Sequence, residues 1–249
     1  MHARRDFLLL RYWYKVVRME ETRITKKVYR VTREKVLHDY NKENKCLWVN
    51  SVKEILEDIG LQSVWKGESL PSKREWDKLI KAKLHQREQL QWLNQMKMMP
   101  KLRTYVNLKT ELKCERYLYI PISKEKRSMI SQLRTGTNSL RVETGRWEHL
   151  APNDRLCPMC ELESETEAHF LLRCPAYDNS RQDLINKIET ITKGAVRIGY
   201  MKSDIAKLDL LIGRGRIDEN YEQVYMVVAN FIKHCFEFRN SLMFGEINY

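Results

Sequence analysis

Four side chains able to bind a soft or borderline metal lie close together in this chain: Cys157, Cys160, His169 and Cys174, in the pattern C-x2-C-x8-H-x4-C. Three thiolates and one imidazole are the ligand set of a closed tetrahedral zinc site. Two cysteines separated by two residues let one tight turn aim both sulfurs at one ion. Pro158 favours that turn by fixing its own φ. His169 and Cys174 stand five apart, about one and a half helical turns, so a turn or short helix entered at the metal would carry both. The plain alternative is a group of buried cysteines beside a surface histidine. Such dense clustering in a chain with 6 cysteines favours the metal, and His149, upstream of Cys157, is the weaker substitute ligand. Four protein ligands leave no open position for water, so the pattern reads as one structural Zn2+ and not as a hydrolytic centre. Structural zinc binds with on the order of 10 kcal/mol, enough to order a loop that has little core of its own.

The elements that must hold these ligands read as helices. Apolar residues recur at three- and four-residue steps over 2–19, where Phe7, Leu10, Tyr14 and Val17 form a stripe that Leu8, Leu9, Trp13 and Val16 widen. So broad a stripe wants neighbours on several sides, either deep in a bundle or on a docked partner. The charged stretch 20–41 is also helix-compatible, with Arg23, Lys26, Lys27, Arg30 and Arg33 on one face and Val28, Val31 and Leu37 expected on the packed side. Capping boxes at Ser51 with Glu54, and at Ser72 with Glu75, predict helices over 52–59 and from 73 towards Pro100. Further helices are expected over 123–133, 177–192, 204–212 and 221–238. The last is a central packing helix. Neither an internal repeat nor strand alternation stands out. The resulting expectation is a mainly α fold, an irregular helical bundle with a small CCHC zinc-binding insertion. It divides into a helical, Trp-rich region 1–133, the metal module 134–181 and C-terminal helices 182–249, or forms one domain overall.

Composition narrows the class. With 249 residues, 43% of them apolar, the chain can bury a core. Its net charge of +12 favours polyanionic partners, although solubility alone would also account for it. Six cysteines are too few for a disulfide-stapled fold, which points to an intracellular, reducing setting, cytoplasm or nucleus. Cys46, Cys114 and Cys235 then read as core filler. Arg11 and Lys15 interrupt the most apolar early stretch, 7–17, so neither a signal peptide nor a membrane span is expected. The six tryptophans, at 13, 48, 65, 76, 92 and 147, read mainly as core.

Around the ligands the sequence is distinctive. Arg134-Thr135-Gly136, Leu140-Arg141-Val142-Glu143, Gly145-Arg146, Arg155-Leu156-Cys157, Glu167-Ala168-His169-Phe170-Leu171-Leu172, Cys174-Pro175 with Tyr177, and Arg181 together resemble the cysteine-rich region behind the reverse transcriptase domain of non-long-terminal-repeat retrotransposons. Arg11-Tyr12-Trp13-Tyr14-Lys15 and Lys101-Leu102-Arg103-Thr104-Tyr105 echo it more weakly, which extends the resemblance over most of the chain. The resemblance implies a region that helps hold element RNA or target DNA during target-primed reverse transcription, with a reverse transcriptase domain as partner in cis or in trans. It also implies a fragment or truncated reading frame of a longer protein.

Candidate phosphate contacts are Lys101, Arg103, Lys109, Lys113 and Arg127 in the basic stretch 97–134, with Arg134, Arg141, Arg146, Arg155, Arg173 and Arg181 around the ligands. Glu161, Glu163, Glu165 and Glu167 in the metal loop are expected to repel phosphate. Polymerase chemistry needs paired metal-binding carboxylates, and no Asp-Asp occurs here; nor does a Walker-type loop or a Ser-His-Asp arrangement. The leading expectation is a non-catalytic, zinc-stabilised accessory region that binds RNA or DNA. The rival is a helical protein-interaction module that docks a polymerase domain or another partner through 7–17.

Overall fold

The computed structural model describes residues 2–38, 48–67, 70–214 and 220–245. These are mainly helical, and strand pairing among them is confined to one isolated antiparallel bridge between Leu156 and Ser164. No helix among the described residues is long and apolar enough to cross a membrane. The chain divides into two compact units, Met1–Trp92 and Leu93–Tyr249, each with its own apolar cluster. The boundaries expected near 133 and 181 both fall inside the second unit, because Leu108, Ile130, Phe170 and Phe236 share one core.

The first unit holds α1 (His2–Val17), α2 (Ile24–His38), α3 (Trp48–Asp58), α4 (Gln62–Lys66) and most of α5 (Lys73–Lys97). Leu10, Trp13 and Val16 of α1 are buried with Val52 and Leu56 of α3, Trp65, Trp76 and Ile80. The broad stripe of α1 is therefore covered largely within its own unit, though Leu8 and Tyr12 remain exposed. The second capping box forms as expected: the Glu75 N–H donates to Ser72 Oγ at 3.4 Å and the Ser72 N–H donates to Glu75 Oε2 at 3.0 Å. The first does not, because α3 already begins at Trp48 and carries Ser51 inside the helix.

α2 reverses the expected orientation. Val28, Val31 and Leu37 are exposed, while Tyr29 and Val36 are buried together with the stem of Lys26. Aromatic pairing explains the choice. Tyr29 Oη accepts a 3.0 Å hydrogen bond from Trp13 Nε1, and its ring lies 5.9 Å from that of Trp48. Lys26 donates to the Val17 carbonyl, and Arg33 donates to the Trp65 carbonyl at 2.7 Å with its guanidinium over the Trp65 ring. One large amphipathic side chain with a hydrogen-bond partner outweighs two valines, and the long cationic stems follow it inward. Positions 39–41 of the expected helix and Cys46 lie outside the described residues.

The second unit contains α6 (Tyr105–Leu108), α7 (Lys124–Thr135), α8 (Arg141–Trp147), α9 (Asp178–Ile191), α10 (Asp204–Ile212) and α11 (Tyr221–Phe244). α11 is the packing spine, continues past Phe238, and buries Val224, Tyr225, Val228, Ile232 and Cys235 against α7 and α9. Ser123 caps α7, accepting from the Lys126 N–H. Gly136 stops α7 at φ +63, where a Cβ would stand 2.2 Å from the Lys101 carbonyl oxygen. Of the cysteines expected as filler, Cys235 is buried but Cys114 is exposed. Trp147, expected in a core, is 76% exposed.

Candidate metal centre

A small hairpin presents the first two ligands. The Cys157 N–H donates to the Glu163 carbonyl and the Glu165 N–H to the Arg155 carbonyl, both at 2.9 Å, which frames the Leu156–Ser164 bridge. The turn closes where the Glu161 N–H reaches the Cys157 carbonyl at 2.8 Å, with Glu161 itself at φ +56.

The other two ligands sit at either end of a π-type turn, His169–Arg173 with Cys174 behind it. In an α-helix, residues five apart point about 140° away from each other. Here the Cys174 N–H donates to the His169 carbonyl at 2.8 Å, so the chain closes after five residues and both side chains return to one side. Arg181 fixes the end of that turn by donating to the carbonyls of Leu171 at 3.1 Å and Cys174 at 2.7 Å.

The four ligand atoms lie within 4.8 Å of one another, an arrangement that could hold one metal ion. Cys157 Sγ is 3.8 Å from Cys174 Sγ and Cys160 Sγ is 3.4 Å from His169 Nε2. The sulfur pair is far beyond the disulfide length of about 2.05 Å, and all three cysteines are free. Burial pushes the thiols of Cys157 and Cys174 up, and nearby Glu165 adds to this at Cys157. A bound cation reverses that preference, since its charge deprotonates a coordinating thiol outright. Beyond the ligands, Glu163 Oε1 stands 2.8 Å from His169 Nδ1, a short electrostatic contact rather than an aligned hydrogen bond. Arg173 first, and His169 second, hold the Glu163 carboxyl below its ordinary range. A carboxylate there directs Nε2 towards the other ligands.

The acidic loop behaves differently from the expectation that four carboxylates repel phosphate. Glu165 and Glu167 are buried, and Glu163 is engaged by Arg173, which leaves Glu161 as the exposed acid without such a partner. Arg239 of α11 holds Glu165 through two donors, Nε to Oε1 at 2.7 Å and Nη2 to Oε2 at 2.9 Å, and the Arg141 N–H adds a third at 2.6 Å. Glu167 receives Arg103, Thr104 and Asn138.

The same network consumes most of the arginines expected to meet phosphate. Arg134 and Lys109 are corrections. Both are buried and paired with Glu115, and Arg134 also donates to the Ile212 carbonyl, so neither reaches a ligand at the surface. Arg103 bridges Glu143 and Glu167. Arg155 lies over Gly145 and donates to the Val142 carbonyl in the first turn of α8 and to the Leu150 carbonyl beyond its end. Arg127 donates to Ile120 and Ile122, Arg141 to Glu148, Arg146 to Pro100, Arg173 to Glu163 and Asp204, and Arg181 to Asp178 as well as the π-type turn. Lys101 and Lys113 remain exposed, Lys113 beside Glu111. Sequence reasoning missed Arg239. Its signal was position, the next step of the α11 stripe beyond Ile232 and Cys235, where a charge demands a buried partner.

No protein-family model, curated protein or solved structure matches the chain.

Proposed function

We propose that the chain is a non-catalytic accessory region, stabilised by one structural zinc ion, that holds RNA or DNA beside a reverse transcriptase domain, as the retroelement resemblance implies. The observation that carries this reading is the convergence of Cys157, Cys160, His169 and Cys174 within 4.8 Å. Zinc bonds of about 2.3 Å to sulfur and 2.05 Å to nitrogen give tetrahedral edges of about 3.8 Å between sulfurs and about 3.6 Å between sulfur and nitrogen. Two of the six separations, 3.8 Å and 3.4 Å, lie close to those edges, and all six are within 4.8 Å. Three thiolates and an imidazole select zinc over the hard, oxygen-seeking cations. Nucleic-acid binding is supported by the net charge of +12 and by the internal neutralisation of Glu163, Glu165 and Glu167, which removes much of the repulsion from the metal loop.

Metal analysis of protein grown with zinc tests the first half: one zinc per chain, lost in Cys160→Ser, is expected. The second half predicts binding to labelled single strands that falls steeply between low and physiological salt through counterion release. Measurable primer extension by this chain alone would overturn the non-catalytic assignment.

One observation favours a protein-interaction module as a second reading. Ile24, Val28 and Val31 form an exposed apolar stripe on α2, which moves the docking face from 7–17 to the outside of that helix. Association with a separately expressed reverse transcriptase domain that barely responds to salt would support it.

A further inference from the structure

We propose that segment 193–202 is a binding site for single-stranded nucleic acid, in which unpaired bases stack on Tyr200 and phosphates are held by Lys193, Arg197 and Lys202. This rests on the nucleic-acid reading above and gives it a location that the resemblance did not supply.

Tyr200 is 79% exposed, so its ring is open to a ligand. Its support is firm: it ends a short 3-10 turn, Ile198–Tyr200, whose Ile198 is buried in the core. The Arg197 guanidinium carbon lies 5.9 Å from the Tyr200 ring centroid. A base laid on the ring would therefore meet an aromatic face with a cation beside it, the sequence-tolerant platform of single-strand binders.

The electrostatics agree. No carboxylate occurs between Glu189 and Asp204, and Asp204 is itself held by Arg173. Lys193, Arg197 and Lys202 are exposed and make no ion pair with a described residue. They differ in this from the arginines around the metal, which are bound to carboxylates and carbonyls. Lys193 and Gly194 both have positive φ, so the chain turns sharply after α9. Beside the segment lies a hollow of about 260 Å³, walled by Val196, Met201 and Leu210, large enough for the edge of a base. Asp209 is the one carboxylate in its lining, and its Oδ1 already accepts from the Arg214 N–H at 3.1 Å.

The test uses the full zinc-loaded chain with labelled oligouridylate and oligothymidylate, which separate RNA from DNA, a duplex of equal length, and polyglutamate as a polyanion without bases. Tyr200→Ala is expected to weaken single-strand binding by about tenfold, and Tyr200→Phe to preserve it. Replacing Lys193, Arg197 and Lys202 together by Gln should flatten the slope of log affinity against log salt by about 2. Zinc content and helicity should not change, since all four side chains are exposed. If the wild type binds strands but neither variant alters affinity or slope, the site is wrong and the broader reading stands. Trp147→Ala as the only weakening substitution would have the same meaning. Duplex or polyglutamate binding as tight as single-strand binding overturns the stacking site, and no binding by the wild type overturns both readings.

Discussion

Arg239 and Glu165, 74 residues apart in sequence, meet as a two-point ion pair with both side chains at 2% exposure or less. The pair fastens the hairpin that carries Cys157 and Cys160 to the spine helix α11, and Arg239 also donates to the Ser139 carbonyl at 3.2 Å. Removing one member leaves a buried charge without its counterpart. Arg239→Met is therefore expected to destabilise the zinc-loaded protein by about 3–5 kcal/mol, whereas Glu165→Gln with Arg239→Met should recover part of that loss. Urea unfolding of both singles and the double closes the cycle. Additive losses would show that the pair is not coupled.

Gly136 should tolerate no side chain. A Cβ there would meet the Lys101 carbonyl oxygen at 2.2 Å and the residue sits at φ +63, while Gly60 at φ +74 has nothing within 4 Å. Gly136→Ala is expected to cost about 3 kcal/mol or more, from clash added to backbone strain, and Gly60→Ala about 1 kcal/mol from strain alone. Thermal melts of the two variants side by side measure the difference.

The orientation of α2 can be checked by substitution. Tyr29→Ala, which opens a buried site and leaves Trp13 Nε1 without its acceptor, should destabilise by about 3 kcal/mol. Val28→Gln, at a 56% exposed position, should stay within about 0.5 kcal/mol of wild type. The reverse ranking would restore the orientation that the valines alone imply.

At the start of α5, hydrogen bonds from the Ser72 hydroxyl and backbone hold the Glu75 carboxyl below its ordinary value. A lowered folded pKa means that the ionised form is favoured in the folded state. The contribution is full above the unfolded value of about 4.3 and is lost as pH falls through the lower folded one. Carbon-detected titration of Glu75 should show the depressed midpoint, and Ser72→Ala should return it towards the ordinary value. A midpoint unmoved by that substitution would remove the capping box as the cause.

Much of this protein is written locally. Three-and-four spacing of apolar residues places α9, α10 and α11, and the Ser72 box sets the start of α5, because each depends on contacts within a few residues. The four ligands were legible for the same reason: a metal site is a short list of residue types at short spacings. What the spacing could not supply was the π-type turn that brings Cys174 back beside His169, since its i to i+5 bond and its Arg181 cap are choices of packing.

Charge was the least readable property. Composition reports how many cations a chain carries but not which of them a buried carboxylate will claim, and that pairing is made across distances such as the one from Glu165 to Arg239. Tertiary structure thus turned Arg134 and Arg103 from expected phosphate contacts into internal struts. It left Lys193, Arg197 and Lys202 without ion pairs to the described residues, and on α2 it let a tyrosine with a partner displace the valines. Local pattern fixes which residues form a helix and which cluster can bind a metal. Only the assembled core, where desolvation makes every unpaired charge costly, decides which face turns inward and which cations stay free.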